Sequence, residues 1–296
     1  MRALLIKFIL WLGAAMPLRA VHVLGAAGGW ALARLPSEAR RVSRINIARC
    51  LPQMDAADRE RLVCRSLIET GKTAAETGPL WRWDQRRIDS LVRGVEGESA
   101  LDAALGAGRG AILAMPHLGA WELTALYSSL RHRMTSLYRP PRLRGLDAMM
   151  TAARERFGAT LVPADTAGVR ALLKALRRGE LLGILPDQEP GFGSGVFSPF
   201  FGRPAYTMTL LARLVQQTGA PVFISYAERL AAGAGFRLHF LPLMPVPGAS
   251  VEEITAAVNT GIEACVRSLP QQYQWSYKRF KTRPAGETRF YTRRAS

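Results

Sequence analysis

The sequence predicts an α/β fold in which a mostly parallel central sheet is flanked by helices, with a membrane-associated helix at the N-terminus. After about residue 37, short apolar runs bounded by Gly and Pro alternate with segments of helical periodicity, a pattern typical of a parallel sheet. The first 33 residues, in contrast, are almost entirely apolar. We therefore divide the 296-residue chain into an N-terminal membrane anchor, residues 1–35, and one catalytic domain, residues 36–296.

The N-terminal segment is predicted to enter or lie on a membrane. The runs "ALLIKFILWLGAAMP" (residues 3–17) and "VHVLGAAGGWALA" (residues 21–33) together approach the length of a span, roughly 20 helical residues. Lys7 and Arg19 interrupt them, so the sequence leaves open whether the segment crosses the bilayer or lies in its surface. The Arg-rich stretch that follows would place the rest of the chain in the cytoplasm if the segment spans once.

The body of the chain reads as alternating elements after a helical stretch at residues 37–75. Strands are predicted in "GRGAILAMP", "MTSLYRP", "ATLVP", "LLGILPD", "APVFISYAER" and "FRLHFLPLM", the last two as a hairpin. Helices are predicted in "WELTALYSSLRH", "RLRGLDAMMTAARERFG", "AGVRALLKALRRGE", "AYTMTLLARLVQQTG" and "SVEEITAAVNTGIEACVRSLP". In such sheets the chemistry lies at the C-terminal ends of strands, where His117, Arg139 and Asp187 occur.

His117 and Glu122, in "MPHLGAWELT", are the predicted catalytic pair. Positions five apart on a helix lie about 140° apart around its axis, so the two side chains can meet only if His117 precedes the helix. Pro116 and Gly119 permit such a bend. The carboxylate could then accept a hydrogen bond from one imidazole nitrogen and leave the other free as a base. The alternative is a turn-capping histidine and a solvated glutamate.

Arginines near the same edge are candidate ligands for phosphate oxygens, which guanidinium groups bind through paired hydrogen bonds. Arg139 ends a strand beside a Pro pair, and Arg154 and Arg156 lie two apart in a helix that returns toward this edge. In so Arg-rich a chain any one arginine can be a solvated surface residue, and for Arg154 we favour that interpretation.

Asp187 ends a strand and begins the Gly- and Pro-rich segment "QEPGFGSGVFSPFFGRP", which is predicted to be a long loop. Its apolar cluster, Phe197, Phe200 and Phe201, could line an acyl-chain site beside polar groups. A surface loop that Phe side chains pin into the core is the alternative.

The net charge of +17 favours anionic partners, although it partly reflects an Arg-rich composition. Three dispersed cysteines without a CxxC pair support neither a disulfide framework nor a zinc ribbon. G-x-S-x-G, H-E-x-x-H and Walker motifs are absent, and "GAGRG" precedes its strand, so no metal or cofactor is predicted. The basic, aromatic C-terminal stretch (residues 272–294) suits nucleic-acid stacking or a membrane interface, and the apolar N-terminus favours the membrane.

The motifs "HLGAWE", "YRPP", "ALRRGE", "LPDQEPG…SPFFG" and "QYQWSYKRFKTRP" occur in this order. Together they resemble the late acyltransferases of lipid A biosynthesis, the lauroyl and myristoyl transferases, within the lysophospholipid and glycerolipid acyltransferase superfamily. The resemblance covers nearly the whole chain, and "W-x-x-K-R-F-K-T-R-P" is its most specific part. The wider superfamily usually has H-x-x-x-x-D, whereas Glu122 follows the lipid A branch.

The resemblance implies a glycerolipid acyltransferase-like fold on the cytoplasmic face of the bacterial inner membrane. It implies transfer of an acyl chain from acyl carrier protein, the donor substrate, to a hydroxyl of a phosphorylated lipid A precursor. His117 would be the general base and Glu122 its orienting acid, with Arg139, Arg156 and Asp187 at the substrate. Two alternatives stay open: an acyltransferase for another membrane lipid, such as a lysophospholipid or an aminoacyl lipid, and a non-catalytic membrane or nucleic-acid binding protein.

Overall fold

A computed structural model describes residues 2–141, 144–243 and 248–292, and it confirms the α/β class with a mostly parallel sheet flanked by helices. The α-helices are α1 (Arg2–Ala15), α2 (Leu18–Arg34), α3 (Glu38–Cys50), α4 (Ala56–Arg82), α5 (Gln85–Leu91), α6 (Glu98–Gly106), α7 (Trp121–Arg131), α8 (Asp147–Glu155), α9 (Thr166–Arg177), α10 (Leu210–Thr218) and α11 (Val251–Ser268). The strands are β1 (Val92–Glu96), β2 (Ala111–Ala114), β3 (Met134–Tyr138), β4 (Thr160–Pro163), β5 (Leu181–Ile184), β6 (Gly195–Phe200), β7 (Arg203–Met208), β8 (Val222–Arg229) and β9 (Phe236–Leu243).

Seven strands form the main sheet in the order β1-β9-β8-β2-β5-β3-β4. All neighbouring pairs are parallel except β8 and β9, which form the predicted antiparallel hairpin. The centre of the sheet is β2 beside β5, and every residue of these two strands is buried. Both are short apolar runs without polar alternation, the pattern of strands covered on both faces.

Apolar side chains cover both faces of the central strands. Ile112 and Ala114 of β2 belong to one buried cluster, and Ala111 and Leu113 belong to another. Alternate residues of a strand point to opposite faces, so the two clusters are the two halves of the core. This sandwich fixes the sheet edge from which the candidate site residues emerge.

The predicted helix at residues 37–75 is two helices, α3 and α4. Pro52 follows the end of α3, and the Asp55 side chain accepts a hydrogen bond from the backbone of Asp58 at 2.7 Å to begin α4. A proline and a capping aspartate are ordinary signals for the end and start of helices, and here they outweigh the continuous apolar periodicity.

The predicted loop after Asp187 contains the hairpin β6–β7. Its two-residue turn, Phe201 and Gly202, has positive φ at both positions (51° and 67°), as the tight turns of β-hairpins require. Strand β1 was not predicted, because its half-exposed sequence "VRGVE" has few apolar residues. The first two residues of the predicted helix at 142–158, Met244 of the predicted hairpin, and residues 293 and 294 of the basic C-terminal stretch lie outside the described residues.

The N-terminal segment forms two helices, because Pro17 separates α1 from α2. Within the described residues, no helix combines the length and the apolarity needed to cross a membrane. The segment is thus two helices of 14 and 17 residues where one membrane-associated helix was predicted, and whether it lies in or on a membrane stays a prediction.

α2 instead packs closely against α4. A Cβ atom on Gly29 would lie 2.2 Å from the Leu67 carbonyl oxygen, so only glycine permits this approach. On the other sides of α1 and α2, large apolar side chains remain exposed: Leu4, Leu5, Phe8, Ile9, Trp11, Leu12, Val23, Leu24, Trp30 and Leu32. The N-terminal hairpin thus joins the body through one face and presents an apolar face outward.

Candidate active site

His117 and Asp187 meet because β2 and β5 are parallel neighbours in register. Ala114 of β2 lies opposite Ile184 of β5, and each functional residue follows its strand three positions later. A proline follows each strand, Pro116 and Pro186, and keeps the residue before it extended, so His117 and Asp187 emerge at the same edge. The carboxyl ends of adjacent parallel strands therefore deliver an imidazole and a carboxylate to one place.

The His117 imidazole donates its Nδ1 hydrogen to Oδ1 of Asp187 at 2.7 Å. The His117 backbone N–H donates to Oδ2 at 2.9 Å, so the carboxylate holds both the ring and the loop. Burial opposes the charge on Asp187, but the charge and hydrogen bonds of His117 outweigh burial and hold the pKa of Asp187 below its usual range. The His117 side chain is 13% exposed and that of Asp187 is 2% exposed, so only the imidazole reaches the surface.

The second imidazole nitrogen faces an amide. Nε2 of Gln188 lies 3.1 Å from Nε2 of His117 and also 3.4 Å from Oε1 of Gln274. With Nδ1 donating to Asp187, Nε2 of His117 carries the lone pair and accepts this bond. A hydrogen-bond donor therefore already occupies the position where a general base would receive a proton.

The His117 loop is fastened on two sides. Gly119 has φ +62°, and a Cβ atom there would lie 2.0 Å from the Ala227 carbonyl oxygen, so the loop requires glycine at this position. Its backbone N–H donates to the Gln272 carbonyl at 3.1 Å, and the Gln274 N–H donates to the His117 carbonyl at 3.1 Å. The C-terminal segment thus holds the imidazole in place.

Glu122 does not hold His117, contrary to the sequence prediction. Its carboxylate accepts two hydrogen bonds from Arg154, at 2.7 and 2.9 Å, and one from the indole N–H of Trp81 at 2.7 Å. The reason is that Glu122 lies in the first turn of α7 and faces α4 and α8, whereas Asp187 arrives from the neighbouring strand. Arg154, interpreted above as a solvated surface residue, is instead one half of this ion pair.

Trp121 connects the two clusters. Its ring centroid lies 5.2 Å from that of His117, and the Arg154 guanidinium carbon lies 5.5 Å from the Trp121 ring. Trp121, Glu122 and Arg154 also line a narrow cleft of about 40 Å³, together with apolar side chains that include Met115 and Leu185. These two residues directly precede the prolines before His117 and Asp187, so the cleft reaches the ends of the same strands.

The remaining predicted residues lie elsewhere. Arg139 follows β3 and is exposed. Arg156 donates to the backbone carbonyls of Leu80 and Trp83, at 2.6 and 3.0 Å, and so caps the end of α4. Burial lowers the pKa of Arg156 to about 10. Contact of either arginine with substrate stays a prediction, and for Arg156 the structure provides a purely structural use.

The three phenylalanines of the predicted apolar cluster do not lie together. Phe200 and Phe201 are buried in the core, where Phe201 packs against Trp275, while Phe197 is exposed. These two aromatic side chains therefore pin the hairpin β6–β7 to the body. Among the described residues, no group of three or more His, Cys, Asp or Glu side chains is arranged to hold a metal ion.

Comparison with known proteins places the chain among bacterial enzymes. The sequence profile of the family described as bacterial lipid A biosynthesis acyltransferase matches residues 2–282. A lipid A biosynthesis lauroyltransferase of Escherichia coli (strain K12) is 30% identical over 280 residues, which cover 94% of this chain and 90% of the relative. A lipid A biosynthesis palmitoleoyltransferase of the same strain is 31% identical over 289 residues, 96% and 92% of the two chains.

A more distant relative has another acceptor in its name. A phosphatidylinositol mannoside acyltransferase of Mycobacterium tuberculosis (strain CDC 1551 / Oshkosh) is 29% identical over 220 residues, 73% of this chain and 69% of the relative.

Proposed function

Because the chain belongs to the bacterial lipid A biosynthesis acyltransferase family, we propose that it transfers a fatty acyl chain from acyl carrier protein to a hydroxyl of a lipid A precursor. The observation that carries this proposal is the His117–Asp187 pair at the ends of two adjacent parallel strands. It supplies a base whose Nε2 faces the Gln188 amide and whose Nδ1 is fixed by a buried carboxylate.

His117 acts as the general base. The acceptor hydroxyl displaces the Gln188 amide from Nε2 of His117 and loses its proton to that nitrogen as its oxygen attacks the thioester carbonyl carbon. Asp187 stabilises the imidazolium that forms, the role that the sequence analysis gave to Glu122. The tetrahedral intermediate then collapses, the C–S bond breaks, and the imidazolium returns its proton to the departing thiolate.

Arg154 is the proposed donor to the oxyanion. Glu122 accepts from its Nε and Nη2 and so presents the guanidinium in one fixed orientation beside the cleft. A preorganised hydrogen-bond donor stabilises the charge that develops on an attacked carbonyl oxygen, and a fixed guanidinium can serve as such a donor. Glu122 thereby takes part as a positioning residue, acting through Arg154.

The reacting end of the acyl chain is proposed to enter the narrow apolar cleft lined by Met115, Trp121 and Leu185, which at about 40 Å³ has room for its first carbons only. Such a chain and its acceptor both come from a lipid environment, and the exposed apolar side chains of α1 and α2 suit the surface of the inner membrane. The proposed location is the cytoplasmic face, where the net charge of +17 would attract acidic carrier protein and phosphorylated lipid.

The test is an acyl-transfer assay with purified protein, acyl carrier protein donors and a set of membrane-lipid acceptors. His117→Ala should lower turnover by about 10²–10⁴-fold. His132→Ala is the matched control, because His132 lies beside Asp102 on the surface, at 3.4 Å, away from the site. Unchanged transfer by His117→Ala would reject the mechanism and would favour the non-catalytic binding alternative.

A second candidate is acyl transfer to a different membrane glycolipid, which the phosphatidylinositol mannoside acyltransferase relative favours. The same acceptor set decides between the two candidates. Turnover on lysophospholipid, aminoacyl lipid or inositol mannoside acceptors, with none on a lipid A precursor, would replace the first candidate by the second.

A further inference from the structure

A basic cleft of about 560 Å³ lies in the C-terminal segment, between residues 278 and 292. Four of its nine lining side chains are cationic, namely Lys278, Lys281, Arg283 and Arg289, and one, Glu287, is a carboxylate. Its volume lies within the range of small-molecule sites. The family comparison and the mechanism leave this cleft without a role.

Two of the four cations have partners that fix them. Arg283 pairs with Glu287, donates to the Pro204 carbonyl at 2.6 Å, and has only 5% of its side chain exposed. Its Nε is buried and has no hydrogen-bond partner among the described residues. Lys278 pairs with Glu38 at 2.7 Å.

The other two cations, Lys281 and Arg289, are exposed, and within the described ranges no carboxylate lies at ion-pair distance from either. Two unneutralised cations at one concave surface create a positive potential that an anion relieves. The cleft therefore has the charge of an anion site, whereas most other charged residues nearby already form pairs.

The cleft is built on a fixed frame. The guanidinium carbons of Arg49 and Arg283 lie 3.6 and 4.0 Å from the centroid of the Phe290 ring. The Tyr291 hydroxyl donates to Asn46 of α3 at 2.5 Å. These contacts tie the segment to the body, so the backbone that carries Lys281 and Arg289 is held before any ligand arrives.

One wall of the cleft is joined to the catalytic loop. Thr282 donates from its backbone N–H and its hydroxyl to the Glu189 carboxylate, at 2.8 and 2.9 Å. Glu189 directly follows Gln188, whose amide touches His117. One hydrogen-bonded residue, Glu189, therefore links the wall of the cleft to the residue that contacts the base.

We propose that this basic cleft binds a phosphate group of the glycolipid acceptor and so positions the acceptor for His117, an inference that rests on the proposed function. A phosphate monoester carries about −1.5 to −2 charges at neutral pH, which matches the two exposed cations. Its oxygens can accept from the exposed groups of Arg289 and Lys281. A carrier protein would need a broad complementary surface of roughly 800 Å², which a narrow concave cleft does not offer.

The experiment measures binding of the full-length protein to neutral phosphatidylcholine vesicles that contain either the phosphorylated acceptor or the same lipid after phosphatase treatment. We expect the wild type to prefer the phosphorylated vesicles by about tenfold, the effect of one charged hydrogen bond. The double variant Lys281→Ala/Arg289→Ala should lose this preference and raise the KM for the phosphorylated acceptor by a similar factor.

The matched control is Arg170→Ala/Lys174→Ala, which removes one arginine and one lysine from the exposed face of α9. It loses the same overall charge but should keep the preference, because neither residue lines the cleft. A double variant at 281 and 289 that still prefers phosphorylated vesicles would overturn the inference.

Competition with inorganic phosphate shows whether the cleft binds the phosphate group of the lipid acceptor or free phosphate. We expect it to compete only at concentrations far above that of the lipid, and equal potency would show a site for free phosphate instead of the acceptor. The binding readout needs no turnover. If the double variant loses the preference but the wild type transfers no acyl chain, the proposed function is rejected and the phosphate site in the cleft stands. If the wild type transfers acyl chains but the double variant keeps the preference, the proposed function stands and the phosphate site is rejected.

Discussion

Two histidines in this protein have almost the same contact with a carboxylate, but their surroundings differ. His22 of α2 lies 2.6 Å from Glu76, and His117 lies 2.7 Å from Asp187. Glu76 also receives Arg229 at 2.7 Å through Nη2, and its cluster is buried. The first pair is therefore a structural ion network, and the second leaves one imidazole nitrogen at the surface. Contact with a carboxylate alone does not identify a catalytic base.

The largest expected effect separates these histidines directly. His117→Asn should lower kcat by about 10²–10⁴-fold with little change in melting temperature, because it removes the base while the Asn amide can still donate a hydrogen bond to Asp187. His22→Asn should lower the free energy of unfolding by about 1–3 kcal/mol and leave the folded enzyme nearly as active. Turnover and thermal unfolding of both variants check this. Equal losses of activity would show that the buried network also takes part in the chemistry.

Glu76→Gln tests the buried pair of His22 and Glu76. It leaves the Arg229 charge without its main partner, so we expect a loss of about 3–5 kcal/mol in the free energy of unfolding at pH 7. Burial opposes the charge on Glu76, but Arg229 and then His22 outweigh burial and lower its pKa below 4.5.

The stabilisation from ionised Glu76 is complete above pH 4.5, the ordinary value of an unfolded glutamate, and is lost as the pH falls toward its lower folded pKa. Urea unfolding between pH 3 and 7, about the range in which carboxylates titrate, measures it. The difference between wild type and Glu76→Gln should shrink below pH 4.5, and a constant difference would contradict the assignment.

Asp187→Asn and Glu122→Gln distinguish the proposed roles of the two carboxylates in catalysis. Both should lower kcat, by about 10²-fold, the first through the imidazolium and the second through Arg154. Only Asp187→Asn should also change the pH dependence of kcat/KM, since only Asp187 contacts the titrating base. A changed pH profile in Glu122→Gln alone would restore the pairing predicted from sequence.

Gln188→Ala has the smallest expected effect. Its amide must leave Nε2 of His117 before the hydroxyl arrives, so its loss removes one net hydrogen bond and should change kcat/KM by about threefold or less. Steady-state kinetics of this variant beside Gln274→Ala, the neighbouring amide, would measure it. A loss as large as that of Asp187→Asn would make Gln188 part of the chemistry.

Much of the fold could be predicted from sequence because its central strands are short apolar runs with clear boundaries. The positions of His117 and Asp187 at strand ends were also predictable. Their contact was not, because β2 pairs with β5, which lies far along the chain. The shared pattern "MPH" and "LPD" after each strand was a signal that could have suggested it.

The pairing of Glu122 was missed for the opposite reason. Because His117 is close to Glu122 in sequence, it was predicted to be the partner of Glu122. The actual partner, Arg154, lies on a separate helix, 32 residues away in the chain. The hairpin β6–β7 was obscured by Gly and Pro residues that resemble those of an irregular loop. Each of these errors concerns a contact between segments that local periodicity cannot report.

The backbone bond from Gln274 to the His117 loop has a consequence for how the protein comes to function. His117 and Asp187 are 70 residues apart, and the segment that holds the loop follows both of them in the chain. A ribosome must therefore synthesise the chain through Gln274 before this bond can form. Nascent or proteolysed chains that lack residue 274 have the imidazole loop without this support.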